Sequence, residues 1–224
     1  MDAPTLQDFE TTGLDVLTEY IVEIGLLDQE SGAVFSTVVK PPRMPGDEPT
    51  VHGISPEELR HGPDFAEAFR RMVQFLTSSV EMALAEATDS SGEEIEAPAL
   101  AEQPPGILIA AHNGFSFDVP LLLVECLRSA IGLELLENWL WVDTLHVLRA
   151  AEDPGACVKL QCSRTRHGVT EGEHAHRALD DCLALRGVCQ ALADRQGVSV
   201  ARLFLPFSVA LDKDATLLQL SCVL

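Results

Sequence analysis

Basic residues are what this chain has least of. Lysine and arginine total 15 against 35 aspartates and glutamates, a formal charge of -20 at pH 7 over 224 residues. Broad, sequence-indifferent adhesion to nucleic acid needs clustered Lys and Arg, so the balance argues against that mode of binding. A nuclease is not excluded, because part of the charge lies in one stretch, residues 81–102, with seven acids and no base. Long apolar runs are also missing; none reaches the roughly 20 residues that cross a bilayer, and no membrane partner is expected. The start, Met1-Asp2-Ala3-Pro4, lacks the basic and apolar regions of a secretory signal. Ser221-Cys222-Val223-Leu224 places its cysteine third from the end, where a prenylation box needs it fourth. The six cysteines (Cys126, Cys157, Cys162, Cys182, Cys189, Cys222) contain no CxxC pair and no zinc-ligand spacing. Most lie in apolar helical patterns, where a free Cys acts as a small hydrophobe. The expectation is reduced thiols in a soluble intracellular protein, with nothing to separate nucleus from cytoplasm.

What is present is a strand-and-helix alternation long enough to bury one core, which implies a single α/β domain. Residues 4–9 read as a short strand ending at Asp8. Residues 20–27 and 33–40 read as two more, joined by a turn at 29–32, so a three-strand meander is the simplest arrangement. Ser55-Pro56-Glu57-Glu58 spells a capping box with proline at the first helical position. Phe65, Phe69, Met72, Val73 and Leu76 then recur at helical spacing. Residues 88–106 are acidic, with Gly and Pro punctuation, and read as a flexible insertion. Order resumes with Ile107-Leu108-Ile109-Ala110-Ala111, apolar on both faces and so a central buried strand. A helix over 119–131, a strand over 139–142, a helix over 144–151 and a last helix over 176–196, stopped by Gly197, complete the domain. Residues 197–224 are an extension expected to pack on it.

Three acidic islands carry the chemistry: Asp8-Phe9-Glu10-Thr11-Thr12-Gly13-Leu14, then His112-Asn113-Gly114-Phe115-Ser116-Phe117-Asp118, then His176-Arg177-Ala178-Leu179-Asp180-Asp181. Each carboxylate sits beside apolar, element-forming residues, where an unpaired charge is unfavourable. Asp8 and Glu10 are two apart on a strand, so both leave one face. Asp118 opens a helix just past a buried strand, the edge where open α/β sheets place ligands, and a helix N-terminus favours its ionised form. One final helix is expected to carry both His176 and Asp181. Hard oxygen ligands without Cys indicate Mg²⁺ or Mn²⁺, and two such ions clamp both oxygens of an in-line phosphoryl displacement. An imidazole suits the task of taking a proton from the attacking water near neutral pH.

Together the islands resemble the motifs of the DEDDh 3′-5′ exonucleases, the DnaQ-like group, over roughly residues 5–192. The stretches 110–122 and 142–145 are closest to the three-prime repair type. The resemblance implies a ribonuclease-H-like mixed sheet flanked by helices, with metal-ligand roles for Asp8, Glu10, Asp118 and Asp181. It makes His176 the general base and places Thr11, Thr12 and Leu14 against the 3′-terminal nucleotide. It implies release of nucleoside monophosphates from nucleic-acid 3′ ends, with single-stranded DNA favoured and RNA allowed, and it allows a homodimer. The chain departs from the pattern in three places. The first strand is short, with Pro4 and with Gln7 at an apolar position. The acidic insertion is long. Residues 159–163 lack a second large apolar residue.

Several residues have rival readings. Asp180 neighbours Asp181, but the motif's gap after His176 selects Asp181; His174 falls outside that spacing. His112 and Asn113 either contact substrate or shape the turn before Asp118. His52 either approaches substrate or sits in an ordinary loop. Asp143 reads as a helix cap, Glu23 as a strand residue with a pairing partner, and Trp139 and Trp141 as core. From another class of function, the chain is a catalytically idle module that binds nucleic-acid ends.

Overall fold

Period-two alternation sets the first strand, β1 (Thr5–Thr11): Leu6, Asp8 and Glu10 leave one face, and Gln7 and Phe9 the other. In this computed structural model the described residues are 4–45, 52–89, 107–137, 139–172 and 176–211. The antiparallel meander continues through β2 (Ile21–Asp28) and β3 (Val34–Val38). On its other side β1 pairs in parallel with β4 (Leu108–Ala111). Next come β5 (Leu140–Asp143), parallel to β4, and a short antiparallel β6 (Val209–Ala210). The result is one mixed six-stranded sheet in the order β3-β2-β1-β4-β5-β6. β1 is therefore central, paired with β2 along its seven residues and with β4 from Thr5 to Gln7. That corrects the expectation of a short, weak first strand: partners on both flanks supply the hydrogen bonds that its own sequence does not advertise.

Among the described residues seven α-helices cover the sheet: α1 (Pro56–His61), α2 (Phe65–Asp89), α3 (Asp118–Arg128), α4 (Thr144–Ala151), α5 (Leu160–Arg166), α6 (Ala178–Gln196) and α7 (Val200–Phe204). The capping box at α1 forms with both of its hydrogen bonds. α6 ends at Gly197, whose φ of 67° is the left-handed conformation glycine tolerates best. On one sheet face Phe9, Ile24, Leu26, Ile109, Trp139 and Trp141 pack with Phe69 and Met72 of α2 and Leu122 of α3. On the other, Leu6, Leu27, Ala110 and Val142 pack with Leu148 of α4, Leu185 and Val188 of α6, and Phe204 of α7. Each such aliphatic or aromatic side chain, fully buried, contributes about 1.5–3 kcal/mol. Gln7 intrudes on the first of these faces: it is fully buried, and neither amide atom finds a hydrogen-bond partner among the described residues.

Two boundaries differ from the sequence reading. α6 begins at Ala178, so His176 precedes the helix; its φ of 71° is incompatible with a right-handed turn. Residues 88 and 89 close α2, and the rest of the acidic stretch, 90–106, lies outside the described residues. So do His174, Cys222 and the remainder of 212–224. Among the described residues no helix is long and apolar enough to cross a membrane.

Candidate active site

Asp8 and Glu10 stand on the sheet face that α6 covers, opposite Gly25 and Glu23 of β2. A Cβ on Gly25 would lie 2.5 Å from the carbonyl carbon of Ala178, so only glycine lets the start of α6 settle onto the sheet at this point. Glu23, buried in β2, fixes that start. Its carboxylate accepts from Arg177 Nε (3.2 and 3.1 Å), from Arg177 Nη2 (2.7 Å) and from the Ala178 backbone N–H (3.0 Å). One of the unsatisfied amides of the helix terminus is thus capped from a neighbouring strand. With α6 seated, the carboxylate oxygens of Asp8, Glu10 and Asp181 lie within 4.8 Å of one another. Asp181, not Asp180, is the member of that cluster.

Asp118, the first residue of α3, is buried at 4 % exposure and joins the group electrostatically. The loop that delivers it turns through Asn113 at φ 62°. Asp143 holds this loop: Oδ1 accepts from the backbone N–H groups of Asn113 and Leu145, both at 2.9 Å, and Oδ2 from that of Phe115 at 3.2 Å. Asp143 therefore caps α4, as its sequence position suggests, and also anchors the approach to Asp118.

The four carboxylates oppose one another's ionisation. Burial, then the charges of Asp118, Asp181, Glu10 and Glu23, hold Asp8 well above the usual carboxylate range. Burial, then Asp181 and Glu23, push Glu10 up to about 7, with Arg177 offsetting only part of the rise. Asp118 also rises to about 7, because burial outweighs the backbone N–H groups of Asp118 itself and of Phe9. The sequence expectation that a helix N-terminus would favour its charged form is corrected accordingly. Burial raises Asp181 too, against the stabilising N–H of His176. Asp8, Glu10 and Asp181 together offer hard oxygen donors whose raised pKa values added positive charge would offset, a donor set that fits a divalent cation.

The remaining sequence candidates divide by how they are held. His176 is exposed, and its backbone N–H donates to Asp181 Oδ2 at 3.1 Å. Thr11 Oγ1 donates to the Gly13 carbonyl (2.8 Å), and Thr12 Oγ1 donates to Glu19 (2.5 Å) while accepting from the Tyr20 N–H (2.9 Å). Those bonds shape a loop that presents Leu14 at 88 % exposure, an unusual position for a leucine. Arg128 of α3 clamps the far side of this loop, donating to the carbonyls of Glu19 and Leu17 and lying over the Tyr20 ring. The half-buried His112 ring is tied to the Thr144 hydroxyl (3.1 Å) and the Val158 carbonyl, and burial lowers its pKa. His52 is buried, with Nδ1 accepting from the Ile54 N–H at 3.0 Å. Cys157 and Cys162 are disulfide-bonded, which corrects the expectation of reduced thiols at this pair. The loop before α5 turns at Gly155 (φ 84°) and brings their Cα atoms to 5.9 Å, a juxtaposition that a spacing of five residues does not announce. Cys126, Cys182 and Cys189 are free and buried.

Sequence reasoning missed the Arg128 clamp and the cap that Glu23 provides. The second had a signal: a lone acid in the otherwise apolar Ile21-Val22-Glu23-Ile24 and an arginine directly after His176.

The family model RNase_T, described as an exonuclease, matches residues 6–91 and so contains Asp8 and Glu10. Over that stretch the chain is similar to the exonucleases of this family. A curated relative, the chloroplastic/mitochondrial exonuclease DPD1 of Arabidopsis thaliana, is 29 % identical over 226 residues, covering 95 % of this chain. The chain spans 63 % of that relative's length. Among solved structures it resembles E. coli exonuclease I in complex with a dT13 oligonucleotide (TM-score 0.66, 18 % identity, 88 % of this chain and 42 % of that one). It also resembles the nuclease domain of 3′hExo, a DEDDh family member, bound to rAMP (TM-score 0.63, 14 % identity, 88 % and 93 %). At these identities both likenesses establish the fold, the ribonuclease-H-like mixed sheet.

Proposed function

We propose that this chain is a divalent-cation-dependent 3′-5′ exonuclease that hydrolyses the terminal phosphodiester bond of a nucleic-acid strand and releases nucleoside monophosphates, with single-stranded DNA preferred. The observation that carries the reading is the convergence of Asp8, Glu10 and Asp181 within 4.8 Å, with Asp118 beside them, each with its pKa raised. In this reading the four acids hold Mg²⁺ or Mn²⁺, two ions per site. Bound there, the ions supply charge neutralisation for in-line displacement at phosphorus.

The chain's own residues do the rest. His176, exposed to solvent next to Asp181, takes the proton of the attacking water. Thr11 and Thr12 hold the loop at the strand end, and exposed Leu14 meets the terminal base. Asn113 is the substrate contact of the second island, whereas His112, bonded on both sides, acts by holding its loop. The three-prime repair resemblance of residues 110–122 and 142–145 supports DNA. The likeness to a domain bound to rAMP keeps RNA as the second reading, and recognition of the 2′-hydroxyl decides between them.

Matched DNA and RNA oligonucleotides of one sequence, labelled at the 5′ end, test this directly. Stepwise shortening from the 3′ end in Mg²⁺, faster on DNA and abolished by EDTA, is the expected outcome. Shortening that persists in EDTA sinks the metal reading, faster loss of RNA sinks the substrate preference, and no shortening of either strand leaves the idle end-binding module.

A further inference from the structure

We propose that a cleft at the carboxyl ends of β4 and β5 is the track for the substrate strand beyond its terminal nucleotide, with Arg149 and Lys159 holding its backbone phosphates. The inference rests on the exonuclease reading above and adds a binding site to it. The cleft encloses about 720 Å³. Its walls are His112 and Asn113 from the loop after β4, Arg149 of α4, and Lys159 immediately before α5, with Leu145 and Leu160 contributing apolar surface. No member of the carboxylate cluster lines it.

Position favours a strand that continues from the acids. β1, β4 and β5 run parallel, so their carboxyl ends share one edge of the sheet. Asp8 and Glu10 lie towards that end of β1, and the cleft lies one to two strand spacings away, roughly 5–10 Å. One wall is the same loop that leads into Asp118. A strand with its terminal phosphodiester at the acids therefore has its next phosphates within reach of the cleft.

Charge points the same way. Among the described residues most arginines are committed to ion pairs, including Arg43, Arg70, Arg71, Arg128, Arg177 and Arg195. Arg149 and Lys159 are exposed and make no side-chain hydrogen bond or ion pair among the described residues. Two uncommitted cations in one cleft are notable in a chain of net charge -20. They would supply grip on a polyanion at a distance from the acids that repel it. The wall is also pre-organised: the disulfide Cys157–Cys162 brackets Lys159, and the bond from the His112 ring to the Val158 carbonyl fastens that segment to the β4 loop.

The test uses the full chain carrying Asp118→Asn, so that the strand is not consumed, with a fluorescein-labelled oligothymidylate of about 12 nucleotides in Mg²⁺. Adding R149Q and K159Q together should raise Kd about tenfold and reduce the slope of log K against log salt by about 1.4, the value for two phosphate contacts on a single strand. Arg149→Lys, which keeps the charge, should stay within about twofold of the parent. A melting curve of each variant checks the fold. If the double variant matches the parent in both Kd and salt slope, the cleft is not the track. Hydrolysis of the p-nitrophenyl ester of thymidine 5′-monophosphate, which has no second phosphate, separates this outcome from failure of the exonuclease reading. Wild-type protein should cleave the ester, and R149Q/K159Q in that background should lose far more on the oligonucleotide than on the ester. Equal losses on both substrates overturn the track. Wild-type inertness on both substrates overturns the exonuclease reading, and the binding titration still decides the cleft.

Discussion

Asp8 and Glu10 stand on a strand paired on both sides, whereas His176 stands on an exposed left-handed turn two residues ahead of α6. The acids are fixed by the backbone ladder to β2, by the missing side chain of Gly25 and by the cap from Glu23. Among the described residues the histidine has one backbone bond, to Asp181, and a conformation that costs about 1–3 kcal/mol for a residue other than glycine. Cation ligands need their oxygens at set separations, so rigidity serves them. A residue that exchanges protons with water needs solvent access, and a turn outside the helix supplies it. The two halves meet at Asp181, whose carboxylate belongs to the acid cluster and accepts the backbone N–H of His176.

The largest expected effect comes from the rigid half. Asp118→Asn should lower kcat by about 10²–10³ while the metal-free protein melts at a higher temperature, because a buried acid among like charges is removed. Steady-state kinetics with a melting curve reads both. A variant that melts lower than the parent would show that Asp118 stabilises the fold instead of straining it.

On the exposed half, His176→Ala should lower kcat about a hundredfold or more with Mg²⁺ binding retained by calorimetry. Loss of cation binding as complete as in Asp181→Asn would make His176 a ligand and dissolve the contrast.

Glu23→Gln attacks the joint between the two halves. It removes the charge that pairs with Arg177 and caps α6, and should cost about 1–2 kcal/mol. The low figure reflects Arg177, whose side chain is still 38 % exposed. Urea denaturation measures that loss. Activity should fall further than stability alone explains, because Asp181 and His176 flank the start of α6 and depend on it for their placement.

Titration separates the halves without mutation. Glu10 and Asp118 bind protons more tightly folded than unfolded, with pKa values near 7 against ordinary values of 4.5 and 3.8. The folded state then holds more protons between about pH 4 and 7, so metal-free stability falls as pH rises through that window. Divalent cations compete with those protons, and the rise in Tm on adding Mg²⁺ should be larger at pH 8 than at pH 5.5. His176→Ala should leave this pattern in place. A Mg²⁺ effect independent of pH would remove the acids as the binding groups.

The smallest effect concerns the other face of β1. Gln7→Leu replaces a buried, unpartnered amide with a side chain of similar volume and should gain about 1–2 kcal/mol in denaturation. Activity should be retained, because Gln7 points away from Asp8 and Glu10.

The sequence by itself determined the acids, their order and most of the elements. Two-residue spacing on a strand forces Asp8 and Glu10 onto one face, and the Ser55 box and Gly197 mark helix ends by local hydrogen bonding and backbone freedom alone. Local rules have no reach beyond a few residues, so contacts between distant segments stayed hidden. Only tertiary structure decided that Glu23 caps a helix 155 residues away and that Asp143 holds the loop before Asp118. It alone closed Cys157 onto Cys162. It also reversed one local inference. A helix N-terminus favours a carboxylate by a few tenths of a kcal/mol to about 1 kcal/mol, whereas burial among like charges acts more strongly and in the opposite sense. Asp118 is raised for that reason.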